Sequence, residues 1–188
     1  MSMYQGTNPT ALQSQQWLTD SLIALMEEKP FSAITVRDVC QRADLSRQTF
    51  YHFFSSKEEI LQVYLLRAYK AQFSKYSGNC SLSIGEIVDA FAAVLTGHQR
   101  LLALMLQNGL DAMIAAEISQ CVALFADRFA SQDQSPDLLP YSEALLSGAL
   151  SQLLVFWFRQ EQPISVERIT ALLEDFFRGS LYALTGSI

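Results

Sequence analysis

The sequence predicts an all-α chain of about nine helices, with an N-terminal three-helix helix-turn-helix unit and a C-terminal helical body. Three observations carry this. Apolar residues recur at three- and four-residue spacing along most of the chain. Glycine and proline number only 8 and 5 and fall mostly between those stretches. Several stretches open on Ser or Thr with an acid three residues on, the pattern of a helix N-terminus.

The first helix spans about residues 11–29, with Leu12, Trp17, Leu18, Leu22, Ile23, Leu25 and Met26 as one buried stripe, and Pro30 stops it. Thr35 followed by Asp38 caps a short helix that runs to Ala43. Asp44, Leu45 and Ser46 make a tight turn, and Ser46 caps a helix over about residues 47–54. Ser56 with Glu59 opens a long helix over about residues 57–76. The run Ser77-Gly78-Asn79-Cys80-Ser81 is a loop. Ser83 and Glu86 start a helix that ends near Gly97, and a short one follows from His98 to Asn108, with Gly109 as its stop. Helices over about residues 113–131, 140–160 and 165–184 complete the chain. The organisation expected is residues 1–56 as one domain and 57–188 as a second, with residues 57–76 as the connector.

Half the residues are hydrophobic and 17% are charged, a folded rather than a disordered composition. No run approaches the roughly 18 consecutive apolar residues of a membrane span, and residues 1–9 carry no secretory pattern, so no membrane partner is expected. The three cysteines (Cys40, Cys80 and Cys121) are odd in number and widely spaced, which fits reduced thiols in the cytoplasm better than a disulfide framework. His52 and His98 are not at ligand spacing, and neither a metal nor a cofactor is expected.

The net charge of −6 is unusual for a protein that meets nucleic acid. It is unevenly spread. Residues 31–57 hold Arg37, Arg42, Arg47 and Lys57 against Asp38 and Asp44, a local +2 that leaves −8 for the rest. Within the two short helices, Val36, Val39, Cys40, Ala43, Leu45, Phe50 and Phe54 form the inward set. The opposite face of the second carries Arg47, Gln48, Thr49, Tyr51 and His52, rich in hydrogen-bond donors and without a carboxylate. A face turned to phosphates and base edges has that composition, whereas one turned only to water usually carries acids.

The stretch from Ile34 to Leu61, and above all Thr-Phe-Tyr-x-x-Phe-x-x-Lys-Glu-x-Leu from Thr49 to Leu61, resembles the DNA-binding domain of the TetR family of transcriptional regulators. The motif covers about a sixth of the chain, and the remainder agrees in length and helical order. The resemblance implies that Thr35 and Arg37 contact backbone phosphate or nearby bases. It implies that Arg47 and Gln48, next to the capping Ser46, meet major-groove base edges, and that Thr49 touches a base methyl or phosphate. Tyr51, His52 and Lys57 would hold phosphates. Arg47 on guanine would carry roughly 1–3 kcal/mol of discrimination. Two positions depart from the family's habit. Asp44 stands where glycine is common, and aspartate tolerates the left-handed backbone such a turn needs. Gln48 stands where glycine, proline or alanine is frequent, so the operator does not follow by analogy.

The last two helices carry wide apolar stripes, including Leu146, Ala149, Leu150, Leu153 and Trp157 on one and Ile169, Leu173, Phe176, Phe177 and Leu181 on the other. They are expected to pair with their copies across a two-fold axis in a four-helix bundle, which the resemblance also implies. Gly148 and Gly179 would permit close approach. Between them and the loop at Ser77, the residues Phe91, Leu95, His98, Leu102, Met105, Asn108, Met113 and Phe125, with Trp157, either line an apolar effector pocket with a few polar groups or form a plain core.

An enzyme is not expected: the chain has no Gly-x-Ser-x-Gly, no His-Glu-x-x-His and no phosphate-cradling glycine loop. The function expected is a homodimeric DNA-binding regulator, a repressor answering to a small apolar effector. The alternative is a regulator answering to a protein co-regulator, or a co-activator-dependent activator without a pocket.

Overall fold

The computed structural model describes residues 9–76, 82–125 and 136–178, and among these it is built of helices alone. Eight α-helices follow in order: α1 (Pro9–Glu28), α2 (Val36–Arg42), α3 (Arg47–Phe53), α4 (Lys57–Phe73), α5 (Ile84–Gln107), α6 (Asp111–Leu124), α7 (Leu139–Phe158) and α8 (Val166–Phe177). Short 3-10 turns at Phe31–Ala33, Ser74–Tyr76 and Pro136–Leu138 fill the joints.

The start signals read from the sequence set the helix ends. The Thr35 hydroxyl accepts the Asp38 N–H while the Asp38 carboxylate accepts the Thr35 N–H, a reciprocal capping box. Ser83 and Glu86 repeat it on α5. The Ser46 and Ser56 hydroxyls accept the N–H of Thr49 and Glu59. Asp44 has φ 53°, in the left-handed region, so the α2–α3 turn closes there on an aspartate.

On α1 the buried line is Ala11, Leu18, Leu22, Leu25 and Met26 with the small or amide residues Ser14, Gln15 and Thr19. Leu12 and Trp17 are 45% and 49% exposed, which corrects the stripe expected for them. At 100° per residue they fall about 100° from the line through Leu18, Leu22 and Leu25.

The two helices expected on either side of Gly97 and His98 are one continuous run, α5, broken in direction at His98, whose φ and ψ are −129° and 20°. By length and composition α5 could cross a membrane. It instead lies at the centre of the fold, in contact with α1, α4, α6, α7 and α8. Its residues Val88, Val94, Leu95, Leu102 and Met105 are almost completely buried. A helix enclosed on most sides reads apolar for that reason.

One hydrophobic core runs from α1 through α4 into the body. α4 touches α1 on one side and α5 and α6 on the other, so the N-terminal helices are not packed as an isolated unit.

Candidate nucleic-acid interface

Helices α2 and α3 cross at a small interior formed by Val39, Cys40, Phe50, Phe53 and Phe54, all buried. Phe50 is fully enclosed and lies 6.1 Å, ring to ring, from Phe54. These aromatics are core, which fixes the other side of α3 outward. Arg47, Gln48, Tyr51 and His52 are exposed there, and Tyr51 has 53% of its surface open. The Phe50 ring props that of Tyr51 edge-on at 5.3 Å, and Phe53 does the same for His52 at 4.9 Å. The outward row is therefore seated on a rigid aromatic base.

Arg47 opens α3, and the hydroxyls of Ser46 and Thr49 meet at 2.9 Å. Ser46 and Thr49 are thus partly engaged in the cap, which leaves the Thr49 methyl as its outward contact group. Thr35, exposed at the start of α2, stands beside the exposed Arg37.

The charges sort into committed and uncommitted ones. Arg42 bonds Glu28 at 2.6 Å, and the guanidinium holds that carboxyl below its usual range. Lys29 bonds Asp38 at 2.8 Å. With the Lys29 bond first and the Thr35 N–H next, Asp38 is lowered to about 2. Among the described residues Arg37 and Arg47 form no ion pair, so they supply the uncommitted positive charge of this face.

Lys57, expected at phosphate, is engaged within the fold of the free chain. Its ammonium donates to the carbonyls of Phe31 and Ile34, each at 2.6 Å, and lies 4.3 Å from the centre of the Phe31 ring. Two of its three N–H groups are spent tying the start of α4 to the turn before α2. These bonds hold the turn before α2 against the start of α4 and leave one N–H group of the ammonium uncommitted. Sequence spacing could not show this, because the two carbonyls lie 26 and 23 residues back.

Most of the residues expected to line an effector pocket belong to the one hydrophobic core of the described residues. Leu95, Leu102 and Met105 are sealed in the core. The Asn108 amide is a connector: its Oδ1 accepts the Phe31 N–H at 2.7 Å and its Nδ2 donates to the Leu104 carbonyl. His98 Nδ1 lies 2.9 Å from Tyr64 Oη, where α5 turns, and partial burial lowers its pKa. Trp157 is buried and donates its indole N–H to the Ile164 carbonyl. Met113 is half-buried against the core, and Phe125 stacks on Phe73 at 4.7 Å. Phe91 borders an apolar cavity that lies between α4, α5, α6 and α7.

Several residues expected on the dimer face are turned inward in the single chain. Leu150, Trp157, Ile169 and Leu173 are buried inside the single chain, and Leu146 and Leu150 border the cavity just named. Ala149, Leu153 and Phe177 are intermediate. The outward stripe of α7 is Tyr141, Leu145, Gly148, Gln152 and Phe156, with Tyr141, Leu145 and Phe156 at 75%, 67% and 59% exposed. From α8, Leu172 and Phe176 face out. Leu181 and Gly179 lie outside the described residues.

Residues 18–64 match the family of bacterial regulatory proteins named for tetR. Over 87 residues the chain is 32% identical to the HTH-type transcriptional regulator AlkX of Mycobacterium tuberculosis. That stretch is 44% of this chain and 41% of the relative, so the match spans less than half of that regulator's length. The fold is shared more widely. The crystal structure of Lin0861 from Listeria innocua superposes with a TM-score of 0.74 at 15% identity, over 93% of this chain and 94% of that one. A TetR transcriptional regulator from Streptococcus agalactiae superposes at 0.58 with 19% identity, over 92% and 95%. The chain therefore matches the tetR family of bacterial regulatory proteins in sequence over its helix-turn-helix, and the described architecture shares the fold of these solved structures.

Proposed function

We propose that the protein is a sequence-specific, DNA-binding transcriptional repressor of the cytoplasm that acts as a homodimer on a palindromic operator. One observation carries the reading: the outward face of α3 presents Arg47, Gln48, Tyr51 and His52 on a base of buried aromatics and holds no carboxylate. Arg47 and Gln48 read base edges in the major groove. Thr35, Arg37, Thr49, Tyr51 and His52 hold the phosphates around them, Ser46 supports the helix start, and Lys57 acts through the turn it ties down. Residues 1–56 serve DNA and residues 57–188 serve pairing and control, with residues 57–76 between them.

The second copy meets the stripe formed by Tyr141, Leu145, Gly148, Gln152 and Phe156, with Leu172 and Phe176. The α7 stripe, apolar but for Gln152 and with a glycine at its middle, suits helix-on-helix packing around a two-fold axis. Pairing sets two recognition helices about 34 Å apart, one turn of duplex. A small effector in the body changes the population of that spacing, so effector and operator affinities are linked. Scarce uncommitted charge favours a second reading, in which a protein co-regulator supplies affinity that Arg37 and Arg47 alone do not.

The test is fluorescence anisotropy on the region upstream of the protein's own gene. Saturation at nanomolar protein, with affinity falling steeply as salt rises, supports the first reading. Binding that is equal on unrelated duplexes of the same length overturns it.

A further inference from the structure

His98 is where α5 changes direction, and it is also where α5 is tied to α4. Its φ and ψ of −129° and 20° break the helix just after Gly97. Its Nδ1 lies 2.9 Å from the hydroxyl of Tyr64 on α4, and the two rings meet edge to face at 5.3 Å. The pair borders two open clefts at the junction of α1, α4 and α5. One, of about 390 Å³, is lined by Asp20, Ile23, Tyr64, His98 and Arg100 among others. The other, of about 260 Å³, is lined by Gln15, Thr19, Phe54, Tyr64, Arg67 and His98 among others.

This junction seats the DNA-reading unit. α4 begins at Lys57, which holds the turn before α2, and α5 ends beside Asn108, which holds the same turn from the other side. α1 packs on α2, α4 and α5. A change in how α4 meets α5 at His98 therefore changes where α2 and α3 stand relative to the body.

We propose that His98 is an acid-sensitive latch. Neutral, it locks α4 to α5 through Tyr64 and holds the DNA-reading unit in place for the operator. Protonated, it releases the junction and lowers operator affinity. The proposal deepens the regulator reading and rests on it for what the latch controls.

The neutral ring with its hydrogen on Nε2 accepts the Tyr64 proton at Nδ1, whereas an imidazolium has a hydrogen on both nitrogens and accepts nothing. Burial first, and then Asp20, hold the proton on Tyr64, so its hydroxyl is there to donate. On protonation of His98 that hydroxyl has to turn its hydrogen away, and the half-buried ring carries a charge. The groups that face it offer little compensation. From α1, Asp20 accepts from the Gln16 amide at 2.8 Å, and Glu27 is paired with Arg100. Arg67 on α4 and Arg100 on α5 carry the same sign as the imidazolium and line one cleft each. No charged group of α6, α7 or α8 lines either cleft. Burial accordingly lowers the His98 pKa. The folded junction thus favours the neutral ring. Its lock is complete above the ordinary value of 6.5 and is lost as pH falls from there through the folded one.

The chain holds two histidines, His52 and His98, so the latch can be isolated. A His52→Gln background lowers operator affinity as a whole but leaves His98 as the one imidazole. In it, operator affinity by anisotropy at constant ionic strength is expected to fall roughly threefold or more from pH 8 to pH 5.5, with helical content unchanged by circular dichroism. His98→Gln keeps an acceptor for Tyr64 that does not titrate, and should flatten the profile at its high-pH level. Tyr64→Phe should flatten it at the low-pH level. Damage to the fold would instead lower affinity alike at every pH and keep the slope. Proton NMR of the single ring reads the latch directly: its midpoint is expected below 6.5 and should rise in Tyr64→Phe, where the neutral ring has lost its bond. A flat affinity profile in the His52→Gln chain overturns the proposal, and so does a slope that survives His98→Gln. Absence of operator binding at every pH, in the parent too, would remove the regulator reading. The ring's midpoint then decides the latch alone, and one that Tyr64→Phe leaves unmoved overturns it.

Discussion

Asn108 Oδ1 accepts the backbone N–H of Phe31 at 2.7 Å, across 77 positions of sequence. From the other side Lys57 holds the Phe31 and Ile34 carbonyls. The four-residue approach to α2 is thus gripped by the C-terminus of α5 and the N-terminus of α4. A tilt of α2 at its N-terminal end strains these grips.

Replacing Asn108 by Leu removes the acceptor and leaves the Phe31 N–H unpaired beside the core. The expected loss is about 1–3 kcal/mol of stability. For a chain of this size that is a fall in Tm of about 2–4 °C for each kcal/mol. Thermal melting checks it, with Gln107→Ala, at an exposed neighbour, expected to melt as the parent does. If the Leu variant melted with the parent, the grip would be incidental.

Lys57 and Arg47 should fail in different ways. Lys57→Met keeps the stem over the Phe31 ring and removes both charge-assisted bonds, each of a kind worth about 1.5–3 kcal/mol. It should lower stability and operator affinity together, with little change in the salt dependence of binding. Arg47→Ala should leave Tm within about 2 °C, since surface changes stay within about 0.5 kcal/mol. It should relax base preference by roughly 1–3 kcal/mol at one position of each half-site. A salt slope that flattens in the Lys57 variant would return that residue to the phosphates.

How legible was all this from sequence? The DNA-reading unit was readable because its determinants are local: Thr35 with Asp38, Ser46 with Thr49, and Ser56 with Glu59 each act within one turn of helix. The aromatics of α3 split by simple phase into Phe50, Phe53 and Phe54 inside and Tyr51 and His52 outside. The body resisted for the opposite reason. α7 is apolar nearly all round, so Leu145 and Phe156 outside cannot be told by pattern from Leu150, Leu154 and Trp157 inside. The partners of Asn108 and Lys57 lie at distances no local rule reaches. Tyr64 and His98 meet across 34 positions, beyond the same reach.

Asp38 gives the α2 cap a pH signature. Its carboxyl is held at about 2 against an ordinary 3.8 by the Lys29 bond and the Thr35 N–H. A depressed carboxyl contributes stability that is complete above its ordinary value and is lost as pH falls through the folded one. Asp38→Asn should therefore melt below the parent at neutral pH. The gap should stay constant down to about pH 4, narrow below it and close near pH 2. Parallel melting curves across pH 2 to 4 would show that the carboxylate's charge contributes nothing to the cap.

The outward stripe of α7 makes the proposed pairing surface testable without confusing it with the core. Leu145→Glu and Phe156→Glu place charge on side chains that are 67% and 59% exposed in the single chain, so each variant should fold with the parent's helical content. At a two-fold interface each substitution enters twice, and the burial of charges without partners disfavours association strongly. Sedimentation at micromolar protein should give a dimer for the parent and a monomer for either variant. A monomer engages one half-site at a time and forfeits the gain of linked binding, so operator affinity should fall about 100-fold or more. Leu150→Glu is the contrast: that side chain is 5% exposed within one chain, and the variant should lose its cooperative melt rather than its partner. Two glutamate variants that still sedimented as dimers would move the two-fold axis to another face.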